Sequence, residues 1–140
     1  MEQRLSVITL GVESLSKAKQ FYTEGLGWKL SPNSQEGFAV FQIGGMLFAL
    51  YPKQALAEEV NIPVAKGFSG ITLAYNVRRK ADVDATLSLA QDAGATILKK
   101  AEATFWGGYS GYFSDLDGHV FEIAWNPFWP LDEHGNIDVS

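Results

Sequence analysis

Cysteine is absent from this chain of 140 residues. Its absence excludes disulfides, zinc–thiolate sites and thiol nucleophiles, and nothing in the composition indicates an oxidising compartment. The sequence also lacks an apolar run of the ~18 residues that a membrane span needs, and its start has no basic segment followed by an apolar stretch. We therefore expect a cytoplasmic protein that does not associate with a membrane.

Positive charge is scarce and scattered. Eleven Lys and Arg stand against sixteen Asp and Glu, which gives a net charge of −5, so the chain lacks the basic surface that nucleic-acid binding requires. The acidic balance indicates either a solubilising surface or attraction of a cationic ligand. No Ser-His-Asp arrangement and no phosphate-binding loop is present. The length suits a single domain with its own hydrophobic core.

An internal repeat is the most informative feature of the sequence. Ile8-Thr9-Leu10 recurs as Ile71-Thr72-Leu73, and each triplet is followed by apolar residues at helical spacing, over 15–22 and 83–90. Ser14 is suited to cap the first helix at its N-terminus. A glycine near the end of each helix, at Gly25 or Gly27 and at Gly94, suits a left-handed C-terminal cap.

Each half then ends in a predicted hairpin. Residues 38–43 and 46–51 are joined by Gly44-Gly45, which suits a two-residue turn, and residues 109–113 and 119–125 flank Asp115-Leu116-Asp117-Gly118. A further short strand is predicted after each helix, at 28–30 and 96–98. The predicted organisation is a single domain with repeat modules at about 4–52 and 68–127, a linker at 53–67 that holds a helical turn, and a C-terminal tail at 128–140.

Two motifs carry a resemblance to a known family. Val12-Glu13-Ser14-Leu15 leads to Phe21-Tyr22-Thr23-Glu24-Gly25-Leu26-Gly27, and the second half contains Phe113-Ser114-Asp115-Leu116-Asp117-Gly118-His119-Val120-Phe121-Glu122. This pattern resembles the vicinal-oxygen-chelate superfamily, which includes glyoxalases, bleomycin-resistance proteins, fosfomycin-resistance transferases and extradiol dioxygenases. The resemblance implies an α+β fold in which two tandem βαβββ modules form a curled mixed sheet around a cavity, with the helices outside. It also implies a homodimer.

The metal enzymes of that family place ligands at four points, on the first and last strand of each half. By resemblance these points fall on Val7, Ala49, Gly70 and Glu122, of which only Glu122 could bind a metal. A divalent ion in such a site needs three or more protein ligands, because one carboxylate does not offset dehydration of the ion. We therefore predict no metal and no cofactor.

Strand alternation predicts which side chains line the cavity. If Glu122 faces inward, Thr9 and Thr72 do as well, and a four-residue turn after Ser114 would pair Gly111 with Glu122; a bulge there would reverse the face. Trp106, Tyr109 and Tyr112 could contact a ligand or serve as packing or dimer contacts. The predicted ligand-binding residues are Thr9, Phe38, Gln42, Tyr51, Thr72, Trp106, Tyr109, Phe113 and Glu122.

Three functions remain open from the sequence. The first is a metal-independent protein that sequesters a small, partly aromatic molecule, as bleomycin-resistance proteins do. The second is a glyoxalase-like lyase or isomerase acting on a small carbonyl compound, with Glu122 as catalytic base, since burial raises the pKa of a carboxylate. The third is a ligandless scaffold that acts through its dimer surface. Glu122 itself could be a remnant of a metal site, a ligand-binding acid or that base.

Overall fold

A computed structural model describes residues 1–138, and their contacts divide the chain after Gly67 into two units. Each unit combines a sheet with helices, so the α+β class predicted from the sequence is confirmed. None of the helices formed by residues 1–138 reaches the length and hydrophobicity that crossing a bilayer requires.

The first unit contains a three-stranded sheet. Its elements are β1 (Val7–Val12), α1 (Leu15–Gln20) continued by a π-helical segment (Phe21–Gly25), β2 (Ala39–Ile43), β3 (Met46–Pro52) and α2 (Lys53–Val60). The strand order is β1-β3-β2, with β1 parallel and β2 antiparallel to β3. The strand predicted at 28–30 is reduced to one bridge, between Leu30 and Phe41.

Local sequence signals explain the start of the helix and the hairpin. The Ser14 hydroxyl accepts a hydrogen bond from the Lys17 amide at 3.3 Å, so the predicted N-cap of α1 is confirmed. In the hairpin, Val40 pairs with Ala49 and Gln42 with Leu47, as the two-residue turn predicts.

An aromatic cluster fills one face of this sheet. The Tyr22 ring lies 5.1 Å from Phe48, 5.3 Å from Trp28 and 6.0 Å from Phe41, measured between ring centroids. Tyr22, Phe41 and Phe48 are almost completely buried. Aromatic pairs at such distances contribute about 0.5–1.5 kcal/mol each beyond their buried area.

The linker predicted at 53–67 contains the helix α2, which packs against the first sheet. A side chain added at Gly11 would meet Cβ of Lys53 at 3.0 Å and Leu56 at 3.5 Å, so α2 rests on the sheet face that carries Gly11. That face was predicted to line the cavity. The helix can approach because glycine presents no side chain there.

The second unit is a complete βαβββ module. Its elements are β4 (Thr72–Asn76), α3 (Ala81–Asp92), β5 (Thr96–Ala103), β6 (Tyr109–Ser114) and β7 (Val120–Trp125), in the sheet order β4-β7-β6-β5. β4 runs parallel to β7, and the other pairs are antiparallel. Gly94, with a φ of 111°, ends α3 as predicted.

Helix α3 covers one face of this sheet. It buries Val83, Leu87 and Ala90, and a side chain added at Gly111 in β6 would lie only 2.6 Å from the Leu87 side chain. Because Gly111 allows this close approach, the helix packs directly on β6. The opposite face of the sheet carries the polar side chains described next.

Candidate functional site

Glu122 lies on the face of the second sheet that α3 does not cover. Its neighbours in β7, Phe121 and Ile123, are buried on the helix side. Strand alternation therefore turns Glu122 to the opposite face, where it is half-buried and pairs with Ala74 of β4. This is the orientation predicted from the sequence.

Tyr112 is the partner of Glu122. The two residues lie directly opposite each other in the β6–β7 ladder, and the Tyr112 hydroxyl donates a hydrogen bond to Oε2 of Glu122 at 3.0 Å. Burial, followed by this hydrogen bond and the charge of the carboxylate, raises the pKa of the Tyr112 hydroxyl. The phenol therefore remains a proton donor at neutral pH.

A charged pair continues the row on the next strand. Lys99 of β5 lies opposite Tyr112, and its ammonium group is 2.8 Å from the Glu102 carboxylate. The β5–β6 ladder shifts its register on either side of Lys99. Lys99, Tyr112 and Glu122 thus form a row across three adjacent strands, and the Lys99–Glu102 pair adds no net charge to it.

The turn between β6 and β7 explains why Tyr112 meets Glu122. Oδ1 of Asp115 accepts hydrogen bonds from the amides of Asp117 and His119, both at 2.9 Å, and the Asp115 amide donates to the carbonyl of His119. The turn therefore includes His119 and is five residues long. The predicted four-residue turn was wrong, and the register moves by one position.

Because of this register, two predicted ligand-binding residues lie on the other face of the sheet from the one predicted. Phe113 is not on the Glu122 face: it is 2 % exposed and its ring stacks on Phe121 at 5.0 Å, in the core beneath α3. Tyr109 also lies on the helix side, where its hydroxyl donates to the Asp84 carboxylate of α3 at 3.0 Å. A one-residue slip moves every side chain of a strand to the other face, which is the cause of both errors.

Trp106 lies at the end of the Glu122 face. The position of a side chain added at Gly108 would overlap the Trp106 ring, with 1.9 Å between them, so the indole rests directly on Gly108. Alternation back from Ser110 places Gly108 on the Glu122 face. Trp106 is therefore half-buried against the end of this face rather than extended into solvent.

The other predicted residues do not gather around Glu122 within one unit. Thr72 of β4 lies exposed on the Glu122 face, opposite Val120. Thr9, Phe38, Gln42 and Tyr51 belong to the first unit. There the Gln42 side-chain amide donates to the carbonyls of Gly44 and Met46, so it stabilises its own hairpin, whereas Tyr51 pairs with Gly11 next to α2 and Phe38 precedes β2.

Sequence reasoning named Tyr112 as a candidate ligand contact but missed its pairing with Glu122, and it missed Lys99 altogether. The signal for Tyr112 was the Asp-Leu-Asp-Gly-His run, because an Asp at the start of such a turn can cap two amides and lengthen it. Lys99 had no comparable signal, since the register shifts around it leave no periodic pattern.

The donor set does not fit the divalent metal that the family resemblance implies. Val7, Ala49 and Gly70 have no side-chain donor atom, and one oxygen of Glu122 is taken by Tyr112. Across residues 1–138, no group of three or more His, Asp or Glu side chains lies together in a way that could hold an ion. The absence of a metal in the protein itself stays a prediction.

Comparison with known proteins gives the family. The model of the glyoxalase/bleomycin resistance protein/dioxygenase superfamily matches residues 4–123. The crystal structure of a glyoxalase-related enzyme from Fulvimarina pelagi is similar with a TM-score of 0.91 and 34% identity, covering 99% of both chains. A hypothetical protein from S. aureus has a TM-score of 0.78 and 25% identity, covering 90% of this chain and 95% of that one. Metallothiol transferase FosB from Staphylococcus haemolyticus is 28% identical over 124 residues, which cover 88% of this chain and 84% of that protein. The chain therefore belongs to the glyoxalase/bleomycin resistance protein/dioxygenase superfamily, the family that its motifs resemble.

Proposed function

We propose that this chain is a metal-independent small-molecule-binding protein of the glyoxalase/bleomycin-resistance type, and that it sequesters a small, partly aromatic ligand against the Glu122 face of its second sheet. The hydrogen bond from Tyr112 to Glu122 carries the proposal. It holds a half-buried carboxylate in one orientation with an oxygen left to accept from a ligand, and a charge-assisted hydrogen bond contributes about 1.5–3 kcal/mol.

Aromatic side chains on the Glu122 face support the aromatic part of the ligand. The Tyr112 ring adjoins the carboxylate and the Trp106 ring lies over Gly108 on the same face. Aromatic rings offer a flat apolar surface with one polar edge, which suits contact with another ring. Thr72 adds a hydroxyl group on the neighbouring strand.

The setting in the cell forms part of the proposal. We place the protein in the cytoplasm as a homodimer, with no nucleic-acid partner. Net charge of −5 opposes association with a polyanion. Large apolar side chains such as Phe105 and Phe128 are 102% and 71% exposed in the single chain, which supports a second copy as their cover.

An enzyme is the second candidate, because Tyr112 supplies the partner that a catalytic Glu122 needs. As a lyase or isomerase acting on an α-hydroxycarbonyl compound, Glu122 would take the proton from the hydroxyl-bearing carbon and return it to the former carbonyl carbon, while the hydroxyl proton passes to the former carbonyl oxygen. Tyr112 would turn its single O–H from Glu122 to the carbonyl oxygen as that oxygen gains negative charge, which frees Glu122 to act as the base. Deuterium incorporation into dihydroxyacetone in heavy water, lost in Glu122→Gln, would favour this candidate.

Thiol transfer is not included in the proposal. The relative FosB is named a metallothiol transferase, whereas three of the four expected ligand points of this chain are Val, Ala and Gly. A site with one carboxylate does not favour a resident divalent ion.

Fragment binding tests the proposal. Amide resonances of ¹⁵N-labelled protein are recorded against a library of small aromatic fragments, with and without EDTA. We expect several fragments to shift the amides of Tyr112, Glu122 and Trp106 equally in both conditions. Binding that requires a divalent ion, or shifts that avoid this face, would contradict it.

A further inference from the structure

We propose that the Glu122 site selects a ligand with a single ammonium group over one with an amidinium or guanidinium group. The inference rests on the proposed function and names the class of ligand, an aromatic amine salt rather than an aromatic amidine. This preference follows from the hydrogen bond that one oxygen of the Glu122 carboxylate already accepts.

The two oxygens of the carboxylate are not equivalent, because one is shared with a phenol and the other is not. Oε2 of Glu122 accepts the Tyr112 hydroxyl at 3.0 Å, and Oε1 accepts no hydrogen bond from any residue of the described range, 1–138. An amidinium or guanidinium group gains most from a carboxylate when two parallel N–H groups reach both oxygens. The Tyr112 hydroxyl already takes one of the two acceptor positions of Oε2, so a fork would have to share that oxygen with the phenol and would gain less from it.

An ammonium group fits the remaining oxygen. It is a compact charge with three rotatable donors, so one donor can reach Oε1 without a partner on Oε2. Its other donors can meet water or the Thr72 hydroxyl, which lies on the same face. Contact with a single carboxylate oxygen therefore loses less binding free energy for an ammonium ligand than for an amidinium or guanidinium ligand.

Neighbouring charges leave this preference in place. Lys99 is the cation next to Tyr112, and its charge is balanced by Glu102 at 2.8 Å. Because the pKa of the Tyr112 hydroxyl is raised, the phenol keeps its proton at neutral pH and continues to occupy Oε2. The face thus retains the negative charge of Glu122 for the ligand.

Three probes of similar size separate the possibilities: benzylamine, benzamidine and benzyl alcohol. Their dissociation constants are measured by amide shift titration at pH 7 with the full chain. We expect benzylamine to bind at least about fivefold more tightly than benzamidine, the equivalent of one net hydrogen bond. Glu122→Gln should weaken benzylamine at least about fivefold and leave benzyl alcohol unchanged.

Tyr112→Phe is the decisive variant. It frees Oε2, so benzamidine should gain affinity and the ratio of the two constants should fall toward one or reverse. Tyr109→Phe is the matched control, because it removes a phenol that bonds Asp84 on the other face of the same sheet. That control should keep the wild-type ratio, and the amide spectrum of each variant reports whether it is folded.

The outcomes distinguish the inference from the proposed function. Equal binding of all three probes at this face, unchanged in Glu122→Gln, would overturn the inference and leave the binding function standing. Tighter binding of benzamidine to the wild type, or a ratio unaffected by Tyr112→Phe, would also overturn it. Failure of every probe to shift amides on this face would reject both.

Discussion

Tyr112 and Tyr109 lie three positions apart in one strand and donate hydrogen bonds to different carboxylates. Burial is the main cause of the raised pKa of Tyr112, with Glu122 second, whereas the raised pKa of Tyr109 comes first from its hydrogen bond to Asp84. A phenol whose pKa is raised by folding stabilises the fold below its unfolded value of about 10 and loses that contribution as pH rises through the folded value. Stability should therefore decline at alkaline pH.

Because the causes differ, each of two substitutions should change the pKa of only one tyrosine. Glu122→Gln should lower the pKa of Tyr112 and leave that of Tyr109 unchanged, while Asp84→Asn should lower the pKa of Tyr109 alone. Titration of ¹³Cζ-labelled tyrosine between pH 8 and pH 12 measures both groups in one sample, over a range centred on the ordinary tyrosine value of about 10. A response of both tyrosines to either substitution would count against two independent pairs.

Gly108 leaves no room for a side chain on the Glu122 face. An added methyl group would overlap the Trp106 ring and approach the Trp125 carbonyl oxygen to 2.6 Å. We expect Gly108→Ala to lower the free energy of unfolding by about 1–3 kcal/mol, the usual cost of overpacking. Gly45→Ala is the control, because no atom lies within 4 Å of its added carbon. If urea unfolding showed the same loss of unfolding free energy in both variants, the close contact between Gly108 and Trp106 would be refuted.

At the scale of elements, the β6–β7 hairpin decides which side chains form the site. Asp115 is 5% exposed and holds the amides of Asp117 and His119, which fixes a five-residue turn and pairs Tyr112 with Glu122. One residue fewer in the turn would place Gly111 there instead. The side-chain chemistry of the site thus depends on a capping carboxylate at the far end of the hairpin.

Removing that cap should destabilise the hairpin. Asp115→Ala leaves two amides without their acceptor, and we expect a loss of about 1–3 kcal/mol in the free energy of unfolding. Asp115→Asn keeps an oxygen at the same position and should lose less than half as much. Chemical denaturation measures both, and a similar loss in the two variants would show that the charge, rather than the acceptor, matters.

The two hairpins explain which parts of the structure could be predicted. Gly44-Gly45 admits one turn length, so the pairs Val40–Ala49 and Gln42–Leu47 followed directly from the sequence. The second turn could hold four or five residues, and hydrogen bonds to Asp115 decide between them. The family, the α+β class and the orientation of Glu122 were therefore predictable, whereas its partner Tyr112 was not. The close approach of α2 to Gly11 was missed because no periodic pattern signals it.

In the whole molecule, several large apolar side chains are exposed when the chain is considered alone. Phe68, Phe128 and Trp129 are 71%, 71% and 50% exposed. Such residues commonly mark surfaces that another protein covers. We expect analytical ultracentrifugation at micromolar concentration to give twice the chain mass of 15.3 kDa. Phe128→Asp combined with Trp129→Asp should shift the population toward monomer, and a wild-type monomer would reject the homodimer.

We propose above all that the Glu122 face holds an organic molecule without a divalent metal. Native mass spectrometry of protein purified from cells without chelators tests both parts in one spectrum. We expect the 15.3 kDa chain, or its dimer, with no stoichiometric metal and with an organic adduct that collisional activation releases and that Glu122→Gln loses. About one metal ion per chain, retained after dialysis, would contradict it, as would a spectrum without any organic adduct.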